Sequence, residues 1–156
     1  MNKNIPAVIL ATFFGAGYFP VAPGTVGSLA ALGLAYALHH FLALPAWAMF
    51  VFAAALFAPA CWASAAAEEH FGGKDPSRVV VDEVVGQWIT VAAADPARWL
   101  HWLAALVLFR LFDIAKPGPL RRLERISGGL GVVLDDAAAG LCGMMVLLLL
   151  RRFSLL

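Results

Sequence analysis

The stretch Val79–Ala94, VVVDEVVGQWITVAAA, decides the fold. Read as a loop, it leaves a bundle of four apolar spans. Read as a helix that enters the membrane, it makes five. The choice matters because of where the acids fall. Asp82 and Glu83 open this stretch, Asp113 ends the apolar run Trp99–Phe112, and Asp135 and Asp136 precede the run Ala137–Leu150. With four spans, Asp82 and Glu83 face one side of the membrane and the other three acids face the opposite side. With five alternating segments, all five carboxylates reach one face. They are half of the chain's ten acidic residues, and only the five-segment reading accounts for all of them. Its cost is length. These 16 residues make about 24 Å of helix, against a hydrocarbon core of about 30 Å. A buried, partly inserted helix serves as well as a full crossing.

Composition supports a membrane setting. The chain has 156 residues, enough for one domain spanning 1–156. It is 62% hydrophobic and 13% charged, with a mean hydropathy of +0.84. Ordinary globular domains carry about 25% charged residues, so this chain has more apolar surface than a soluble core of its size can hide. The remaining apolar runs are Ser28–Leu44 and Ala46–Ala67, separated by Pro45, with Pro59 inside the second. The expected architecture is all-α: a polytopic membrane helix bundle of about five membrane-embedded helices plus a short N-terminal helix capped by Asn4. The segment between that helix and Ser28, rich in Gly and Pro, reads as irregular backbone. No cleavable leader is evident at the start. A formal net charge of +1 gives no overall basic bias toward nucleic acid. Cys61 and Cys142 lie in apolar runs without metal or redox spacing and read as packing residues. The five-segment topology places Lys3, Lys74, Arg78, Lys116, Arg121, Arg122 and Arg125 on the carboxylate face, and Arg98, Arg151 and Arg152 on the other. Lys and Arg favour the cytoplasmic side, so the carboxylate face is expected there.

Charged side chains beside apolar helices need partners or a task. Hard carboxylate oxygens gathered at one place suit Mg²⁺ or Mn²⁺ better than zinc. Each acidic pair alone is equally well read as a helix-terminal anion, since Asp82 and Asp135 stand near expected helix starts. In FRLFDIAKPGP, Arg110, Asp113 and Lys116 fall near one helical face, where the two cations suit a phosphate or form a local ion pair. In APGTVGSLA, Thr25 and Ser28 sit at an expected helix start, an anion site or simply an N-cap. Arg78 precedes the acidic stretch. Among the histidines only His70 falls near this face.

Four segments together resemble the phosphatidylglycerophosphatase A family: PVAPGTVGSLAAL (20–32), DPSRVVVDEVVGQWI (75–89), FRLFDIAKPGPLRRLER (109–125) and GGLGVVLDDAAAGL (128–141). The resemblance implies Mg²⁺-dependent hydrolysis of phosphatidylglycerophosphate to phosphatidylglycerol and phosphate at the bacterial inner membrane. It carries the family's acidic positions onto Asp82, Glu83, Asp113, Asp135 and Asp136, its Lys-Pro onto Lys116 and Pro117, and its Pro-Gly-Thr-x-Gly-Ser onto Pro23, Gly24, Thr25, Gly27 and Ser28. The five acids are then the expected metal ligands and, with Lys116, the expected catalytic set. Thr25, Ser28, Arg78, Arg110 and Lys116 are expected to bind the phosphate. Neither cysteine has an arginine six residues on, and no DxDx[TV] motif is present, which leaves attack by metal-activated water as the expected chemistry, a phosphoaspartate remaining an open alternative. The competing class is an ion or proton transporter subunit, which requires acids at mid-membrane in a path open to both sides.

Overall fold

The computed structural model describes residues 4–118, 120–123 and 126–155, and within them the chain is helical. The elements are α1 (Ile5–Ala11), a 3-10 turn at Ala16–Tyr18, α2 (Pro23–Leu42), α3 (Ala48–Phe71), α4 (Val81–Val91), α5 (Trp99–Ala115), α6 (Leu120–Leu123) and α7 (Gly129–Arg152). Three of them, α2, α3 and α7, are long and apolar enough to cross a membrane. At 20, 24 and 24 residues they measure about 30 to 36 Å. Their outward faces carry Leu29, Tyr36, Phe50, Val51, Trp62, Met145 and Leu149 in the open, as lipid-facing surfaces do. This is a membrane protein.

The decisive stretch is a helix, but a short one. Helix α4 has 11 residues, about 16 Å, too few to span. It is the buried, partly inserted alternative. Every residue from Val81 to Val91 except Glu83 is buried, because α4 packs against α2, α3, α5 and α7 together.

Two further boundaries differ from the sequence reading, both at glycine- or proline-led starts. Helix α2 begins at Pro23, not Ser28, because the fixed φ of proline suits the first helical position. The cap residue is Ala22, so Ser28 is not a cap. Its hydroxyl donates to the Gly24 carbonyl oxygen at 2.9 Å, inside the helix. Helix α7 begins at Gly129, which places Asp135 and Asp136 well inside it, with no acid in its first turn. A helix-terminal role therefore cannot explain that pair. Helix α3 runs unbroken through Pro59.

The central crossing is between α4 and α7. A Cβ on Gly140 would overlap the Gly86 carbonyl oxygen and lie 2.9 Å from its Cα. A Cβ on Gly86 would lie 2.6 Å from the Asp136 carbonyl oxygen. Only glycine lets the two backbones meet here. Thr90 secures the contact, its hydroxyl 3.0 Å from the Gly140 carbonyl oxygen. On the other side of α4 the Trp88 indole N–H donates to Ala31 of α2 at 3.0 Å. At the far end of the bundle, Arg151 donates to the Ala93 carbonyl and the Trp102 indole to Pro96. Lys74, Arg78, Lys116 and α6 belong to the segments at the acidic end. Lys3 and Arg125, also expected there, lie outside the described residues.

Candidate active site

Three helix ends converge on one pocket of about 340 Å³. Its walls are Ala22, Pro23 and Gly24 at the start of α2, Asp75, Ser77 and Val79 before α4, Asp82 and Glu83 in the first turn of α4, Arg110, Asp113 and Lys116 at the end of α5, and Asp135 and Asp136 of α7. All five acids singled out in the sequence are present, which is the arrangement that only the five-segment reading allows.

Within the pocket the acids divide in two. Asp82, Glu83 and Asp136 each bring a carboxylate oxygen to a place where all three lie within 4.8 Å of one another. Asp82 Oδ1, Glu83 Oε2 and Asp136 Oδ2 are buried and have no hydrogen-bond partner among the described residues. Buried polar atoms are normally paired, and three carboxylates brought this close repel when ionised. A cation resolves both problems. The donor set, all oxygen and up to three negative charges, fits a hard divalent ion. The other two acids are already paired. Asp113 Oδ2 lies 2.6 Å from Arg110 Nη1, and Asp135 Oδ2 accepts from Lys116 Nζ at 2.6 Å. Arg110 Nη1 also reaches to 3.8 Å from Glu83 Oε1.

Local geometry produces this division. Successive residues on a helix point about 100° apart. Asp136 therefore turns toward α4 while its neighbour Asp135 turns toward Lys116. Asp82 and Glu83 stand at the positive end of the α4 dipole, which favours their charge. Asp113 occupies the last turn of α5, the unfavourable end for an anion, and Arg110 one turn back offsets it. Lys116 ends α5 in the left-handed region, with φ 40°, which turns its side chain back over the pocket. Gly24 supplies the clearance on the remaining side, since a Cβ there would overlap the Glu83 carboxylate and come within 3.3 Å of Arg110 Nη1.

The other residues expected to bind phosphate are placed elsewhere. Thr25 lines an apolar groove on the α2–α5 side, where it meets Arg110. Ser28 is fully buried and bonded within α2. Arg78 lies over the rings of Tyr18 and Phe71, at 5.6 and 5.2 Å from their centres, outside the pocket walls. His70 packs against Phe71. Conversely, Asp75 and Ser77 line the pocket, and the sequence reading does not single them out. The signal was available, since both lie in the same DPSRVVVDEVVGQWI segment as Asp82. The acids also sit toward one end of the bundle, whereas a transport path requires them at its middle.

The α4 carboxylates are strongly perturbed. Burial, with Glu83 alongside, holds the Asp82 carboxyl well above the usual carboxylate range. Burial, followed by the charge of Asp136, pushes Glu83 up to about 8. Without a cation, the folded state therefore holds protons that the unfolded chain has released above pH 4.5. Stability must fall as pH rises from there through about 8. In chelator, the thermal midpoint of the detergent-solubilised protein should drop between pH 6 and 9. Added Mg²⁺ should restore it at the alkaline end and release protons on binding. A midpoint independent of pH in chelator would remove this reading of the cluster.

The phosphatidylglycerophosphatase A family profile matches residues 9–151. The chain belongs to the phosphatidylglycerophosphatase A family. Two phosphatidylglycerophosphatase A relatives are those of Haemophilus influenzae, 35% identical over 96% of this chain and 91% of the relative, and Escherichia coli, 36% identical over 90% and 80%. A third relative, from Bacteroides thetaiotaomicron, is 41% identical over 92% of both chains and carries the provisional name phosphatidylinositol-3-phosphatase. No solved structure matches the chain.

Proposed function

We propose that the protein hydrolyses the terminal phosphomonoester of phosphatidylglycerophosphate, giving phosphatidylglycerol and inorganic phosphate, with Mg²⁺ held by Asp82, Glu83 and Asp136. The observation that carries this reading is the trio of unpaired, buried carboxylate oxygens set beside two cations, at the end of an apolar bundle. Bound there, Mg²⁺ would polarise the phosphoryl group and lower the pKa of an attacking water. The chain's own residues have the remaining tasks. Arg110 and Lys116 stand where the substrate's phosphoryl oxygens would lie and neutralise charge that grows on them in the transition state. Their carboxylate partners, Asp113 and Asp135, hold them in place. The start of α2 presents backbone N–H groups and the positive end of its dipole to the same anion. The setting is the bacterial inner membrane, with the pocket facing the cytoplasm, as the basic residues at that end suggest.

A second reading concerns the lipid. The relative from B. thetaiotaomicron carries a name that points to a phosphoinositide headgroup. Both lipids offer a phosphomonoester on a polyol carried by a diacylglycerol, so the catalytic groups serve either. Phosphate release by purified protein from phosphatidylglycerophosphate and from phosphatidylinositol 3-phosphate, each with Mg²⁺ or with chelator, tests the reading. The expected result is Mg²⁺-dependent release, with phosphatidylglycerophosphate favoured by at least tenfold in kcat/KM. Release unaffected by chelator would overturn the metal assignment, and a preference for the inositol lipid would overturn the substrate assignment.

A further inference from the structure

We infer that the apolar groove between α2 and α5 holds an acyl chain of the lipid whose headgroup occupies the carboxylate pocket. This rests on the lipid phosphatase reading above and adds the route by which the lipid is held. The groove measures about 450 Å³ and is lined by Leu106, Val107, Leu111, Ile114 and Ala115 of α5, with Thr25 of α2 and Arg110. That volume is in the range of small-molecule sites.

Continuity selects the occupant. Arg110 lines both the groove and the carboxylate pocket, so its side chain is the wall they share. Its guanidinium faces Asp113 and Glu83, while its stem lies among α5's apolar residues, an arrangement that long basic side chains adopt at a polar–apolar boundary. A molecule that fills both sides must carry a phosphate at one end and hydrocarbon at the other. Val107, Leu111 and Ile114 recur at helical spacing and are 55%, 55% and 72% exposed, a stripe open to the bilayer from which such a molecule would arrive. A second apolar hollow, bounded by Phe50, Ala54, Phe57, Val85, Ile89 and Leu141, shares no residue with the carboxylate pocket. Hydrocarbon lying there would not be joined to a headgroup in the site.

The test uses Val107→Trp and Leu111→Trp, at positions outside the catalytic groups, with Ala54→Trp in the second hollow as control. Kinetics on dioleoyl and dihexanoyl phosphatidylglycerophosphate in detergent separate the acyl contribution from headgroup chemistry. The two groove variants should lose at least tenfold in kcat/KM on the dioleoyl lipid and less than twofold on the dihexanoyl lipid, and the control should change neither. Equal losses on both lipids, no loss, or a selective loss in the control would overturn the inference. Wild-type protein that releases phosphate from neither lipid would instead sink the lipid phosphatase reading. Photolabelling covers the case of a variant that fails to fold. Phosphatidylglycerophosphate with a diazirine in its acyl chain should label wild-type α5 and α2, and labelling confined to α3 and α7 would contradict the groove.

Discussion

Asp136→Asn loses at least about a hundredfold in kcat with KM little changed, and Asp82→Asn does the same. The magnitude is that of removing one preorganised electrostatic contact from a transition state. Both residues belong to the group of three and keep a buried oxygen with no hydrogen-bond partner, and neither has an ion pair of its own among the described residues. Asparagine keeps the size and one oxygen but removes the charge, so the fold survives while the ion is lost. In chelator these variants should be more stable than wild type at alkaline pH, because one of three repelling carboxylates is gone. That opposite pair of effects, activity down and metal-free stability up, marks a binding site and not a structural ion pair. Asp135→Asn should behave differently. Its partner is Lys116, so the substitution removes the charge that faces a half-buried cation and should cost stability together with activity. Stopped-assay kinetics and thermal melts at pH 8.5 with and without Mg²⁺ would separate the cases.

Gly140→Ala should cost about 1–3 kcal/mol of stability, the usual penalty for overpacking, and about a hundredfold in activity, since a displacement near 1 Å far from the chemistry can cost that much. The added methyl has no room. It would meet the backbone of Gly86, which cannot swing aside as a side chain can. Helices α4 and α7 must separate, and with them go Asp82 and Glu83 from Asp136. The effect on activity should therefore exceed the effect on stability, and Mg²⁺ affinity should fall in parallel. Leu149→Ala, on the same helix but facing outward at 57% exposure, should change stability by no more than about 0.5 kcal/mol. Equal, small effects at the two positions would mean that the close crossing does not set the site.

The acids and the cations at the end of α5 were legible in the sequence because charge is expensive in apolar surroundings and so stands out there. Their meeting was legible from topology alone, since alternating segments send residues 82, 113 and 135 to one face. The partition of the five acids was not. Whether Asp135 or Asp136 faces α4 depends on the rotation of α7, and that rotation is set by the contact of Gly140 with Gly86, two glycines far apart in the chain. The starts of α2 and α7 were set too late for a related reason. Pro23 and the Gly128–Gly131 run read locally as breakers, yet proline suits a first helical position, and the α7 glycines are small because other backbone lies against them, as the Cys61 carbonyl does at Gly129. Asp75 and Ser77 precede α4 in a polar stretch, where a hydroxyl or carboxylate costs nothing and so does not stand out. Thr25 and Ser28 were read at a helix start expected at residue 28, five residues later than the real one, and Arg78 from its place before the acidic stretch.

The most direct test is the position of the ion. Crystals grown with Mn²⁺ in place of Mg²⁺, measured at the manganese absorption edge, should show one anomalous peak in contact with carboxylate oxygens of Asp82, Glu83 and Asp136, lost in Asp136→Asn. A peak that touches none of these three, or one that persists unchanged in the variant, would contradict the account.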